Sequence, residues 1–362
     1  MILNKIITFP HLGDYYIPIS YLVKNITKQK VIIPPKITKK TIALGSKYSP
    51  DYVCVPFKYN LGNFIETLNK GANTILQAGG GCRYGYYAEL QEQILKDLNY
   101  DFEFINFIQN NRFSIKKIYN FAKGCNPKLN IFKYSYYVIN TALMIIIMDK
   151  LSKYPRENMG FELEKNSFIK IEKEFLKKLQ SHKIGTIKLI KIYFKYKKKY
   201  KKIKIYKPDN CLKVGLVGEL YSLMEPYCSN NVERKLATKG IEVHRFTTLT
   251  YLIFQKKYRL KKLLRKGKKY LKYHLGADAT ESIVLSQELA KQNYDGIVHI
   301  KSFGCTPELN AMPILEKISN EYNIPIIYFS FDSSDSDVAI DTRLEAFYDM
   351  LLQKKEYNTK DK

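Results

Sequence analysis

The sequence predicts an α/β protein of two doubly wound parallel-sheet domains separated by a helical, basic middle region. Three observations carry this. Over residues 1–110, short apolar runs bounded by Gly, Pro or Asp alternate with amphipathic stretches, as βαβ units require. Over 111–212 the strand signal fades and long helical patterns take over. At 213 the alternation returns and continues to 356, leaving a polar, frayed tail at 357–362.

Taken in order, strands are expected at "KIITF", "KVIIPP", "YVCVPF", "TILQAGG" and "FEFINF". Helices are expected between them at "YYIPISYLVKNI", "TKKTIALGSKY", "KYNLGNFIETLNKG" and "YYAELQEQILKDLN", the third carrying Leu61, Phe64, Ile65 and Leu68 on one face. In the middle region, "FELEKNSFIKIEKEFLKKLQ" sets Leu163, Phe168, Ile171, Phe175 and Leu179 near one face. The second domain reads as strand "KVGLVGEL", helix "NNVERKLATKG", strand "IEVHRF", a basic helical segment and helix "ESIVLSQELAKQN". Strand "GIVHIKSFG", helix "PELNAMPILEKISNEY", strand "IPIIYFSFD" and helix "TRLEAFYDMLLQK" complete it. No solenoid period is present, but the two domains are compatible with one shared plan.

A chain of 362 residues, 45% hydrophobic and 26% charged, can bury a full core. Pro10 and Asp14 interrupt what a secretory leader would need, so no export is expected. The most apolar run, residues 136–148, is 13 residues long, whereas a bilayer takes about 20. It is read as a buried helix, and no membrane partner is expected. Six cysteines without a leader point to reduced thiols or metal ligands in a cytoplasmic protein.

The net charge of +26 is concentrated. Residues 188–207 hold ten Lys and residues 256–272 ten Lys or Arg, with no acid in either. Interleaved Tyr would suit a nucleic-acid surface. Compositional drift in a chain rich in Lys, Ile, Tyr and Asn explains the same pattern, as does docking of an acidic partner. Nucleic acid is therefore not the partner expected.

The chemistry-bearing residues are cysteines beside glycines. In "LQAGGGCRYGYYAE", Gly79, Gly81 and Tyr84 break the dinucleotide pattern and no Gly-Lys-Ser/Thr follows for a phosphate loop. Cys54, Cys82 and Cys305 fall at predicted carboxyl ends of strands, where α/β proteins bind ligands. No C-x-x-C pair exists, so a metal site must be assembled by the fold. Gly81 and Gly304 precede two of these thiols and would let the backbone approach a bulky inorganic cluster, although each Gly-Cys equally suits a plain turn. Cys125, Cys211 and Cys228 are weaker candidates, better read as small hydrophobes, with Cys125 the first to test as a further ligand. The five His sit in no nucleophile context, and "FDSSDSDVAIDTR" lacks the glycine and final Glu of a calcium loop, so Asp335 and Asp337 are read as helix caps.

The stretches "PPKITKKT", "VCVPFKYNLGNFIE", "QAGGGCRYGYYAE", "VGLVGELYSLMEPY", "KSFGCTPELNAMPI" and "TRLEAF", in that order, resemble the activase-related branch of the 2-hydroxyacyl-CoA dehydratase superfamily. That group also includes double-cubane cluster proteins. The resemblance implies two flavodoxin-like domains with an iron–sulfur cluster at their interface, held by Cys54, Cys82 and Cys305. Gly79, Gly80, Gly81, Arg83 and Gly304 would line the cofactor, with Arg83 and Lys58 available to offset its negative charge. It implies a 4Fe-4S cluster or a double-cubane cluster, an ATP-hydrolysing activase as electron donor, an acyl-CoA substrate, and a homo- or heterodimer. No catalytic side chain is assigned. Three functions remain: a redox protein acting in reductive dehydration or electron transfer, a non-catalytic cluster-binding scaffold, and a basic nucleic-acid-binding protein.

Overall fold

The structure, a computed structural model, describes residues 4–77, 84–109, 112–333 and 337–360. Gly79, Gly80, Gly81, Cys82, Arg83 and Asp335 lie outside them. The chain divides into two compact units: residues 1–147 with 173–194, and residues 148–172 with 195–362. The helical middle is thus shared between the units.

The first unit is built from β1 (Ile6–Thr8), α1 (Tyr16–Thr27), β2 (Lys30–Val31), α2 (Lys39–Tyr48), α3 (Val55–Leu68), β3 (Thr74–Gln77), α4 (Tyr84–Asp97) and β4 (Glu103–Asn106). Its sheet is parallel, in the order β2-β1-β3-β4. Successive side chains of a strand point to opposite faces. Ile75 accordingly packs with Phe57, Leu61, Phe64 and Leu95 of α3 and α4, while Leu76 joins Ile7 and Val23 on the α1 side. A short antiparallel pair, β5 (Ile108–Gln109) with β6 (Arg112–Phe113), leads into α5 (Ile115–Cys125).

Next come α6 (Ile131–Asn158), α7 (Ser167–Leu179) and α8 (Thr186–Lys201). Phe168, Phe175 and Leu179 are buried as the periodicity expects, but Leu163 lies outside the helix and is exposed. The apolar run of α6 is less enclosed than expected. Phe132 and Ile139 are exposed, and Ile131–Phe161 is by length and composition long and apolar enough to cross a membrane, with 39% of its most apolar 18-residue window buried.

The second unit continues with β7 (Leu212–Gly218), α9 (Leu220–Met224), α10 (Val232–Thr238), β8 (Ile241–Arg245), α11 (Lys256–Lys266), α12 (Ala279–Lys291), β9 (Gly296–Ser302), α13 (Thr306–Tyr322), β10 (Ile326–Phe331) and α14 (Asp337–Lys360). Its parallel sheet runs β10-β9-β7-β8, the same order relative to the chain as in the first unit. Both units are therefore doubly wound α/β domains, each with its switch of winding direction between the first and third strands. Every residue of β9 is buried, as a central strand covered by helices on both faces must be. Glu233 lies between Arg156 at 2.9 Å and Arg245 at 3.1 Å. Burial alone would raise its pKa, but the two guanidinium groups hold it below the usual carboxylate range.

Two expectations are corrected. "YVCVPF" is not a strand, because α3 begins at Val55 with Cys54 as its N-cap residue. Pro56 in the first turn needs no N–H donor there and presets a helical φ, which outweighs the β-branched run. The tail does not fray at 357, since α14 continues to Lys360.

The place of α3 depends on a close crossing with α2. A Cβ on Gly62 would lie 2.0 Å from the Thr41 carbonyl oxygen, and one on Gly45 would lie 1.8 Å from that of Lys58. Only hydrogen fits between the two backbones. Gly62→Ala is expected to cost about 2 kcal/mol or more by overpacking, read as a lower urea midpoint at constant slope. An unchanged midpoint would show that α2 can move away without loss.

Candidate functional site

The two described cysteines of the expected ligand set occupy equivalent local positions. Cys54 is the N-cap residue of α3, and Cys305 is the N-cap residue of α13. Each is followed by Pro two positions on, Pro56 and Pro307. Neither side chain caps its own helix, and both residues are half-buried. The carbonyl oxygens of Cys54 and Cys305 accept the first helical hydrogen bonds, from Phe57 N and Leu309 N at 3.0 Å each. Helix amino ends favour anionic groups, which suits sulfur as thiolate.

In the first unit, Cys54 makes contact with α4. Cys54 Sγ lies 3.8 Å from the hydroxyl of Tyr87 on α4, a helix whose first residue, Tyr84, is two positions after Cys82. A buried amide ladder holds the same region from the other side. Gln77 Nε2, at the end of β3, donates to Gln91 Oε1 at 2.9 Å, and Gln91 Nε2 donates to the carbonyl of Phe57 at 3.2 Å. The start of α3, the end of β3 and α4 are thereby tied together. Lys58 is half-buried in the first turns of α3.

In the second unit, Cys305 follows β9 through a turn containing Gly304. Beneath it, His299 Nε2 and Glu308 Oε2 are 2.7 Å apart, and Ser282 Oγ donates to the other Glu308 oxygen at 3.0 Å, all three residues being buried. Lys301, also buried, is held below its usual pKa chiefly by desolvation, while the nearby Cys305 and Glu308 act to raise it. Its ammonium is placed to offset negative charge at that thiol. The motif around Cys305 does not single this lysine out, yet one Lys inside the apolar run "GIVHIKSFG" is a readable signal.

The end of β7 adds an acidic neighbour that the sequence reading missed. Glu219 is buried and accepts from Tyr221 N at 2.9 Å, Ser222 N at 3.0 Å and Ser222 Oγ at 2.5 Å. Asp278 accepts from Leu220 N at 3.0 Å and pairs with Lys256 at 2.5 Å, and Lys256 also faces Glu281 at 3.4 Å. Desolvation, reinforced by Asp278, raises the Glu219 pKa to about 7 despite its hydrogen bonds.

The remaining thiols sit differently. Burial raises the pKa of Cys125, the last residue of α5, and of Cys211, whose Sγ lies 3.8 Å from Glu242. Cys228 is buried with Sγ 3.4 Å from Ser222 Oγ. Among the described residues no group of three His, Cys, Asp or Glu side chains is placed to hold a metal ion, and Cys82 is outside them.

Glu219 generates a pH prediction. The folded state retains its proton up to about pH 7, whereas the reference carboxyl loses it near 4.5. Between those values the folded protein binds more protons than the unfolded chain, so stability falls as pH rises and levels off above. In Glu219→Gln that loss is expected to shrink, as urea titrations across the window would show. Parallel pH profiles for the two proteins would place the Glu219 proton elsewhere.

No curated protein matches the chain. Residues 268–351, which carry α12, β9, α13, β10 and most of α14, match the family model described as 2-hydroxyglutaryl-CoA dehydratase, D-component. The segment containing Cys305, Lys301 and Glu308 is thus similar to a dehydratase component of the 2-hydroxyacyl-CoA dehydratase superfamily.

Proposed function

We propose that the chain is an iron–sulfur redox protein of the activase-related branch of that superfamily, acting in the cytoplasm. Cys54, Cys82 and Cys305 hold the cluster as thiolates. Gly79, Gly80, Gly81 and Gly304 let the backbone approach it, and Arg83, Lys58 and Lys301 offset its negative charge. The observation that carries the reading is the contact of Cys54 Sγ with Tyr87 on α4, just beyond Cys82 in the chain. The donor set fits such a group, because Cys54 and Cys305 both begin helices and leave their own helix ends uncapped by the side chain.

A 4Fe-4S cluster with three thiolates would offer one iron as a Lewis acid for a hydroxyl or carbonyl oxygen, and a double-cubane cluster is the larger alternative. Around it, this chain supplies charge compensation through Lys301 and a carboxyl, Glu219, that can hold a proton near neutrality. An ATP-hydrolysing activase provides low-potential electrons to a homo- or heterodimer. The electrons are used for reductive dehydration of an acyl-CoA or passed to another acceptor.

Anaerobic purification with iron and sulfide counting tests the assignment. Cys54→Ala, Cys82→Ala and Cys305→Ala are each expected to lose most of the iron, and Cys211→Ala to keep it. Full occupancy after any of the first three changes removes that residue from the ligand set. Iron retained without reduction by an activase would identify a scaffold, and a colourless protein that binds nucleic acid in a salt-sensitive way would overturn the redox reading.

A further inference from the structure

The first unit contains a cleft of about 450 Å³ at the carboxyl ends of β1 and β2, lined by none of the three cysteines. Its apolar wall is formed by Ile17, Ile33, Pro34 and Pro35. His11, nearly enclosed at 4% exposure, stacks against Tyr16 with ring centroids 6.2 Å apart and planes at 24°. Gln180 Nε2 fixes Tyr16 by donating to its hydroxyl at 3.1 Å.

The polar side of the cleft is cationic. Lys36 and His182 line it, and Lys24 Nζ lies 2.8 Å from His182 Nε2. An ammonium can only donate, so Nε2 is the acceptor and the neutral ring carries its proton on Nδ1. Burial lowers the pKa of both Lys24 and His182, and Lys24 adds to the effect on His182. Among the described residues no carboxylate lies within ion-pair distance of Lys24, Lys36 or His182. This is a cationic corner on an apolar wall, at the carboxyl ends of β1 and β2, away from the switch point between β1 and β3.

The surrounding backbone distinguishes between kinds of anion. Phosphate cradles are built from convergent backbone N–H groups. Here Pro10, Pro18, Pro34 and Pro35 have none. The N–H groups of Tyr15 and Ile17 are already donated to Leu12 and Asp14 at 3.1 Å each. Recognition must therefore come from side chains, and the volume calls for an apolar body behind the charge.

We propose that this cleft binds a small organic monocarboxylate with an apolar body, its carboxylate held by Lys36 and His182 and its body packed against Ile17, Ile33, Pro34 and Pro35. Lys24 positions His182 and adds charge. The site is independent of iron.

Isothermal titration calorimetry with benzoate and hexanoate, against benzamide, hexanamide and inorganic phosphate, tests this on the full chain. The carboxylates should bind, with the amides and phosphate weaker by about tenfold or more, one charged hydrogen bond's worth. Lys36→Ala and His182→Ala, both at exposed positions, should each weaken carboxylate binding about tenfold with unchanged circular dichroism. Amides or phosphate binding as well as the carboxylates would overturn the proposal. So would unchanged affinity in the double variant, or no carboxylate binding at millimolar concentration.

Discussion

A Cβ carbon on Gly218 would lie 1.8 Å from the carbonyl oxygen of Ile300, and much of the second unit depends on that closeness. Gly218 has φ +135, a conformation open to glycine and strained for other residues. It lets the chain leave β7 while Glu219 N still donates to Ile300 O at 2.8 Å. β7 and β9 therefore end together at the point where the sheet reverses its winding. Glu219 is turned under the start of α9, and the segment that leaves β9 reaches Cys305 three residues after the strand stops. Burial of Glu219, with its raised pKa, and exposure of the loop at Cys305 follow from how two parallel strands terminate.

The first unit meets the same requirement with different chemistry. Its strands have the same order, but the region around the end of β3 is secured by the Gln77–Gln91–Phe57 hydrogen bonds. A buried amide without partners would cost on the order of 1–3 kcal/mol, so the ladder specifies one arrangement of α3 and α4. In both units a cysteine opens a helix whose second residue is proline. Proline presets the first turn without sacrificing a hydrogen bond. The thiol is thereby placed by rigid backbone rather than by side-chain contacts alone.

Alternation of apolar runs and amphipathic stretches was enough to locate the four strands of the second sheet, because each is a short Val/Ile-rich run flanked by Gly, Pro or Asp. It failed at "YVCVPF", where β-branched residues on either side of a thiol imitate a strand and one proline decides for helix. The position of Cys305 could be read from the strand before it, whereas Cys54 required knowing where a helix starts. Lys301 was visible as one charge in an apolar run. The Gln77–Gln91 bond joins residues 14 apart through the fold and leaves no periodic trace. The same holds for Gly45 against Lys58, where glycine on a helix face looks like weak propensity until the crossing is seen.

Charge is the property least transferable from sequence to surface. The stretch from 256 to 272 contains no acid, yet the fold supplies several. Lys256 is enclosed with Asp278 and Glu281, Lys266 meets Glu288 of α12, and Lys269 meets Glu321 of α13. Lys207, at the end of the other stretch, pairs with Glu242 at 2.7 Å. Exposed pairs such as those of Lys266 and Lys269 contribute little stability, roughly 0–1 kcal/mol, but every one of these pairings removes a cation from the charge available to a polyanion. Lys195 and Lys199 lie 5.8 and 5.4 Å from the Tyr196 ring, so part of α8 packs its lysines against its own aromatics. Ile187, Ile190 and Phe194 stand exposed between the lysines of that helix. A surface that alternates apolar side chains with cations suits a partner with an acidic rim and an apolar centre better than a phosphate backbone, which offers no apolar counterpart.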